Sequence, residues 1–320
     1  MSRLSFLLGR VGRGLLTIWF AVTVTFLLLR ILPGDPALAL ASPNMTDDIR
    51  ATILQQYGLD QPLIVQYGLY MWQLVQGNLG ISFTQSVPVV DVIMQRLPWT
   101  LLLTLTALAL TIIIGIPLGV AAASQKGRAT DRVVQILGVT GQSLFVPSVG
   151  ILLLFVFGLF LGWFPIGGAF DNGVYGMDWY LSVARHLVLP AVSLMLVQVG
   201  SYVLTMRSTL IDALGEDYVT LARANGLPYR QILWKHALRN ALLPTTTLIG
   251  LQLGFLVGGA VLTETVFAYP GIGRGIYDAV TQLDFPVLQG AFLMLALTVV
   301  VANMITDIIY GYLDPRVKTS

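Results

Sequence analysis

The chain alternates long apolar runs with short polar joints. Six runs stand out, at residues 15–32, 101–123, 133–163, 187–206, 242–262 and 287–310. A helix needs about 20 predominantly apolar residues to cross a bilayer core. None of the runs has the period-two alternation of a barrel strand, and an open sheet edge cannot satisfy its backbone in lipid. The pattern therefore predicts an all-α integral membrane protein with six transmembrane helices. The third run is long for one span and is interrupted by Gly141 and Pro147.

The joints are uneven. The first, at about residues 33–98, is long, and its "TDDIRATILQQYG" reads as a helix with Thr46 as N-cap, acids in the first turn and Gly58 as stop. The joint between runs four and five, "GEDYVTLARANGLPYRQILWKHALRN" (residues 215–240), is amphipathic and mostly basic. Lys and Arg fix the orientation, because cytoplasmic loops carry their excess. With the N-terminus inside, thirteen of the eighteen fall on inner segments, and only Arg30, Arg50, Arg96, Arg185 and Arg274 stay outside. Both ends are accordingly expected in the cytoplasm. Arg3, Arg10 and Arg13 before an apolar run, with "ALA" at 39–41, resemble a signal peptide. The run exceeds the usual 7–15-residue core, however, and is read as an uncleaved first span. This divides the chain into residues 1–32 (first span), 33–98 (outer loop) and 99–320 (five further helices, with the inner stretch at about 212–240).

Composition sharpens the picture. Of 320 residues 56% are hydrophobic and 11% charged, with mean hydropathy +0.79; soluble domains carry about 25% charged residues. A net charge of +2 gives no reason to expect a nucleic-acid partner. The absence of cysteine removes disulfides, thiolate metal sites and a Cys nucleophile. Two distant histidines, His186 and His236, make no metal site, and none is expected.

Within the inner stretch, Glu216 and Asp217 suit a helix N-terminus, where the dipole favours negative charge. Tyr218, Leu221, Ala222 and Asn225 follow at helical spacing. Gly226 stands where a left-handed residue ends a helix, and Pro228 fits the first turn of a second. There Tyr229, Ile232, Leu233, His236 and Ala237 share one face. From the residues alone two readings stand: a basic helix on anionic lipid, or a docking surface for a cytoplasmic partner. The acidic head favours the partner, since anionic lipid repels it.

The segment around Gly226 resembles the cytoplasmic "EAA" loop of ABC-transporter permease subunits. The whole chain is similar to binding-protein-dependent permeases of the dipeptide/oligopeptide/nickel group. The motifs run in order: "RILPGDP", "YGLDQPLIVQY", "GNLGISF", "EDYVTLARANGL", "HALRNALLP", "GLQLGFLVGGAVLTETVFAYPGIGR" and "YLDPRVK". Departures exist. Thr220 and Leu221 stand where the general loop has Glu and Ala, Ala222 and Gly226 match, and Arg239 occupies the later proline position, with Pro244 five residues on. "SLFVPSVG" sets Pro147 two residues later than the usual Ser-hydrophobic-Pro. The resemblance implies a MetI-like type I importer permease in the bacterial inner membrane. It further implies a homologous second permease subunit, two ATP-binding subunits, an extracytoplasmic substrate-binding protein and short peptides as cargo. A nickel chelate, glutathione or an opine-like compound is the alternative cargo. The residues carried over as contacts to an ATP-binding subunit are Glu216, Asp217, Tyr218, Ala222, Arg223 and Gly226.

Enzymatic chemistry has no foothold. There is no G-x-x-x-x-G-K-[ST], so ATP and Mg are expected in partner subunits and no cofactor in this chain. Gly271, Gly273 and Gly275 follow a span, not a strand. Clustered catalytic side chains, as a membrane enzyme needs, are missing. So are the inverted repeats and midplane charges of a secondary transporter. Among intramembrane polar residues, Gln142, Ser143, Gln198 and Gln252 are candidates for lining a translocation path, against the plainer role of joining helices. Glu264 and Asp307 lie near span ends.

Overall fold

A computed structural model describes residues 3–31 and 61–313, and all regular structure there is helical. The expected helix opening at Thr46 lies outside the described residues, as do residues 314–320. Helix α1 spans Arg3–Ile31, α2 Leu63–Val75, α3 Val89–Ser124, α4 Ala129–Ser143 and α5 Val146–Leu153. After α5 comes a π-helical turn, Leu154–Phe160. Helix α6 covers Met177–Gly215, α7 Asp217–Ala224 and α8 Tyr229–Gln231. A second π segment, Ile232–Ala237, leads into α9, Leu238–Val266. Helices α10, Ile272–Thr281, and α11, Phe285–Leu313, complete the described chain.

Among the described residues three helices are long and apolar enough to cross a membrane, Val89–Ser124, Met177–Gly215 and Phe285–Thr306. Counting the bent pair α4–α5 as one span makes four. Gly12–Leu28 within α1 is a shorter apolar helix. The long third run is thus not one rod: its halves meet at 103°. The break falls at Leu144 and Phe145, both extended, and Pro147 opens α5, where its missing N–H costs no helical bond.

The chain divides into two compact units. In the first, Met1–Thr100 with Pro270–Val300, a buried carboxylate organises the segments between helices. Asp284, 1% exposed, caps α11 through the Val287 N–H at 3.4 Å. It also accepts from Ser82 Oγ at 2.6 Å, Thr84 Oγ at 2.8 Å, and the N–H groups of Phe83 and Thr84 at 3.2 Å. This explains "GNLGISF": the chain turns at Gly77 and Gly80, both at positive φ, and delivers residues 82–84 to the carboxylate. "PGIGRG" has a similar reason. The Ile272 N–H at the start of α10 donates to Thr100 Oγ at 2.8 Å, and Arg96 pairs with Asp278 at 3.3 Å. A Cβ on Gly275 would stand 2.9 Å from the Arg96 side chain.

In the second unit, Leu101–Tyr269 with Val301–Ser320, α6 is the central post. Glycine lets its neighbours approach. A Cβ on Gly200 would lie 2.1 Å from the Gly138 carbonyl of α4, and one on Gly141 would lie 2.8 Å from the Leu196 carbonyl. On α3, Gly115 and Gly119 meet Tyr202 and Met206 in the same way. Close backbone approach at small residues is how helices associate where lipid removes the hydrophobic drive between them. At one end of α6, Asp131, 2% exposed, binds Arg207 through Nε at 2.5 Å and Nη2 at 2.9 Å, and accepts the Gly127 N–H at 2.8 Å. At the other end, Asp171 accepts from Ser182 Oγ at 2.7 Å and stands 3.8 Å from Nε2 of buried His186.

Candidate functional site: the segment between the fourth and fifth runs

Glu216, in extended conformation, breaks α6 from α7 and occupies the N-cap position, with Asp217 in the first turn. Helix α7 lasts eight residues and ends as its sequence demands. Gly226 has φ +76°, its N–H bonds the Arg223 carbonyl at 2.9 Å, and the Leu227 N–H reaches back to Ala222 at 3.2 Å. These two bonds form a Schellman motif, with glycine at its left-handed position. Pro228 is the N-cap of α8 rather than its first helical residue.

The inner face of this segment is part of the second unit's core. Val219, Ala222, Ile232, Leu233 and Ala237 are buried with Val120 and Ala123 of α3, Met206, Leu210 and Ala213 of α6 and Ala241 of α9. Tyr218 and Leu227 pack against the same cluster. The segment is therefore fastened across two helices and a turn on a single apolar floor. Its outer face is left for something else. Glu216, Asp217, Thr220, Leu221, Arg223 and Gly226 are exposed, as are Arg230, Trp234, Lys235 and Arg239. Leu221 and Trp234 are 63% and 55% exposed, apolar groups among charges. A groove of about 590 Å³ is lined by Pro228, Arg230, Gln231, Trp234 and Lys235.

The six residues carried over from the family loop thus separate. Glu216, Asp217, Arg223 and Gly226 lie on the open surface. Ala222 is buried, and Tyr218 is half-buried with its hydroxyl enclosed and without a hydrogen-bond partner. Trp234 was missed by sequence reasoning. Its signal was available: an aromatic on the polar side of an amphipathic helix.

The candidate path residues are not gathered into one site. Gln142 and Ser143 are exposed at the end of α4, just before the bend, and Ser143 Oγ donates to the Val139 carbonyl at 3.0 Å. Gln142 Cγ lies 3.0 Å from a Cβ built on Gly200, so it contributes to helix contact. Gln198, on α6, is half-buried, with an amide oxygen that has no partner. Gln252 belongs to α9, but its side chain lies outside the described residues, as does that of Asp307. Glu264 is fully buried. Among the described residues no group of three or more His, Cys, Asp or Glu is arranged to hold a metal ion.

Two family models cover nearly the whole chain. Residues 115–319 match the binding-protein-dependent transport system inner membrane component, and residues 3–104 match the N-terminal part of such components. The chain belongs to this family. The di/tripeptide transport system permease protein DppB of Pseudomonas aeruginosa (strain UCBPP-PA14) is 37% identical, over 98% of this chain and 99% of the relative. The dipeptide permease protein DppB of Escherichia coli (strain K12) is 34% identical, and the glutathione permease protein GsiC of Salmonella choleraesuis (strain SC-B67) is 36% identical, at the same coverage. In fold, the permease is similar to an inward-facing MetNI methionine ABC transporter chain. The TM-score is 0.55 at 17% identity, over 70% of this chain and 97% of that chain. The all-helical MetI-like fold is thereby established. The permease is a membrane-embedded transporter subunit and not an enzyme, and ATP hydrolysis belongs to other subunits of such importers.

Proposed function

We propose that the permease forms half of the translocation path of an ATP-driven importer for short peptides. It would pair with a homologous second permease subunit and two ATP-binding subunits, and receive cargo from an extracytoplasmic binding protein. Six spans cross the bacterial inner membrane with both ends in the cytoplasm. ATP and Mg reside in the partners, and this chain needs no cofactor. The carrying observation is the segment at 215–240. Its apolar side is fixed in the permease's own core, while Glu216, Asp217, Leu221, Arg223 and Trp234 face outward. A helix resting on lipid would turn its apolar side to the lipid; this one has already used that side. The remaining face suits a protein partner: an apolar anchor or two inside a charged rim. Ala222 and Tyr218 support the docking helix from beneath, and Gly226 sets its angle to the next. Gln142, Ser143, Gln198 and Gln252 remain proposed path residues.

The peptide cargo follows the relatives. Glutathione, the cargo in another relative's name, is itself a γ-linked tripeptide and so falls in the same size class. The test is uptake of a labelled panel of di-, tri- and longer peptides, glutathione and a nickel chelate in cells lacking the gene and in complemented cells. Gene-dependent uptake confined to short peptides or glutathione is the expected result. Uptake of the chelate alone would overturn the cargo assignment.

A further inference from the structure

Helix α2 is apolar on nearly every side. Its thirteen residues, LIVQYGLYMWQLV, include no Asp, Glu, Lys or Arg. One stripe, Tyr67, Tyr70, Met71 and Leu74, recurs at helical spacing and is half-buried. Two of its rings hold α1: Phe26 lies 5.4 Å from Tyr67 and 5.6 Å from Tyr70 between centroids. The Tyr67 and Thr23 hydroxyls share a hydrogen bond of 2.8 Å. A helix lying in water would show polar residues on the opposite side. Here that side shows Val65, Leu69 and Trp72, exposed by 42%, 48% and 63%, with Ile64 and Val75, 81% and 76% exposed, on its flanks.

The contact with α1 also sets depth. Thr23 and Phe26 fall inside the apolar stretch Gly12–Leu28. At 1.5 Å per residue they lie about 3–8 Å short of its Leu28 end. A helix held against those residues lies beside the apolar wall of α1, not above it. Thirteen residues extend about 20 Å, short of the ~30 Å hydrocarbon core, so α2 does not cross. Apolar helices of this length are core helices or interfacial segments, and among the described residues nothing covers the outward side of α2.

We propose that α2 is an outer-leaflet interfacial helix, lodged against α1 with Ile64, Leu69, Trp72 and Val75 among lipid acyl chains. The inference rests on the reading that α1 crosses the membrane with its Ile31 end outside. Lipid is favoured over a protein occupant on two grounds. The outward side carries no charge, whereas protein interfaces close with a polar rim. The helix against which α2 lies, α1, is itself apolar and open at Leu27 and Leu28, 47% and 57% exposed. The exposed Gln61 and Asn78 flank the helix and mark its return to water. The outer segment of residues 33–98 is then anchored part-way along at the membrane surface, which limits how far it can follow a moving binding protein.

The chain has no cysteine, so spin labels can be placed singly. Labels at Ile64, Trp72 and Val75 would be compared in the assembled transporter in lipid nanodiscs, with Gln61 and Asn78 as water references and Leu16 of α1 as lipid reference. The measurement is collision with oxygen, which partitions into lipid, against a water-soluble nickel chelate. Several-fold higher oxygen-to-chelate ratios at 64, 72 and 75 than at 61 and 78, matching Leu16, are expected. Chelate-dominated collision at those three sites, or shielding from both reagents by a protein neighbour, overturns the proposal while a lipid-like Leu16 leaves the α1 reading intact. A water-like or shielded Leu16 overturns both.

Discussion

Gly226 shows how one residue carries a mechanical role. Its φ of +76° is the left-handed conformation that closes α7, and a Cβ built there meets nothing within 4 Å. The penalty for substitution is therefore backbone strain alone, about 1–2 kcal/mol. That is too little to unfold a helical bundle and enough to tilt α7 against α8. Gly226→Val should leave membrane abundance near normal, weaken co-purification of the ATP-binding subunits and lower uptake. Gly226→Asn should be milder, because Asn tolerates the left-handed region. Wild-type assembly and transport by Gly226→Val would return the segment to a lipid-surface role. Asp284 and Asp131 are the residue-scale opposite, buried carboxylates satisfied by donors. Truncating either set of donors leaves an unpaired buried group, the costly half of such an arrangement.

At the scale of elements, contact between α4 and α6 depends on the absence of side chains. The carbonyl of Gly138 occupies the space a Cβ on Gly200 would need, and a backbone atom cannot swing aside as a flexible side chain can. Gly200→Ala should therefore push the helices apart at a cost of about 1–3 kcal/mol. A thermal melt of the detergent-purified transporter followed by tryptophan fluorescence should show a lowered Tm. Gly215→Ala, at the exposed end of the same helix with nothing within 4 Å, should not change it. Equal melting of the two variants would remove the close-approach argument. The 103° bend between α4 and α5 belongs to this scale as well. Leu144 and Phe145 leave the helix before a proline that favours starting a new one.

For the whole molecule, the distribution of Lys and Arg predicts orientation. Single cysteines at Lys126, Ser2 and Thr319 should resist an impermeant thiol reagent in intact cells, whereas those at Gln61 and Asn172 should react. Lys126, Gln61 and Asn172 are all exposed, so failure to label reports the wrong side of the membrane rather than burial. The reverse pattern would invert the topology. Orientation in turn decides which partners each surface can meet: with the predicted orientation, the 215–240 segment would meet those in the cytoplasm.

The sequence by itself determined the all-α membrane class, because apolar length and charge asymmetry are local quantities that the bilayer reads directly. It also determined the Schellman end at Gly226, since a glycine after an amphipathic helical turn takes the left-handed position without the steric cost a side chain would bring. The family followed from ordered motifs. Tertiary structure decided what those motifs hold. "GNLGISF" meets Asp284 some 200 residues away, Asp131 meets Arg207 76 residues on, and no local pattern announces such pairs. It also decided that Ala222 faces inward while Arg223 faces outward, because the buried side of a short amphipathic helix depends on what α3 and α6 present to it. From hydropathy, the third run is long for one span and interrupted at Gly141 and Pro147. Hydropathy counts apolar residues without direction, and only tertiary packing sets the 103° break at Leu144 and Phe145.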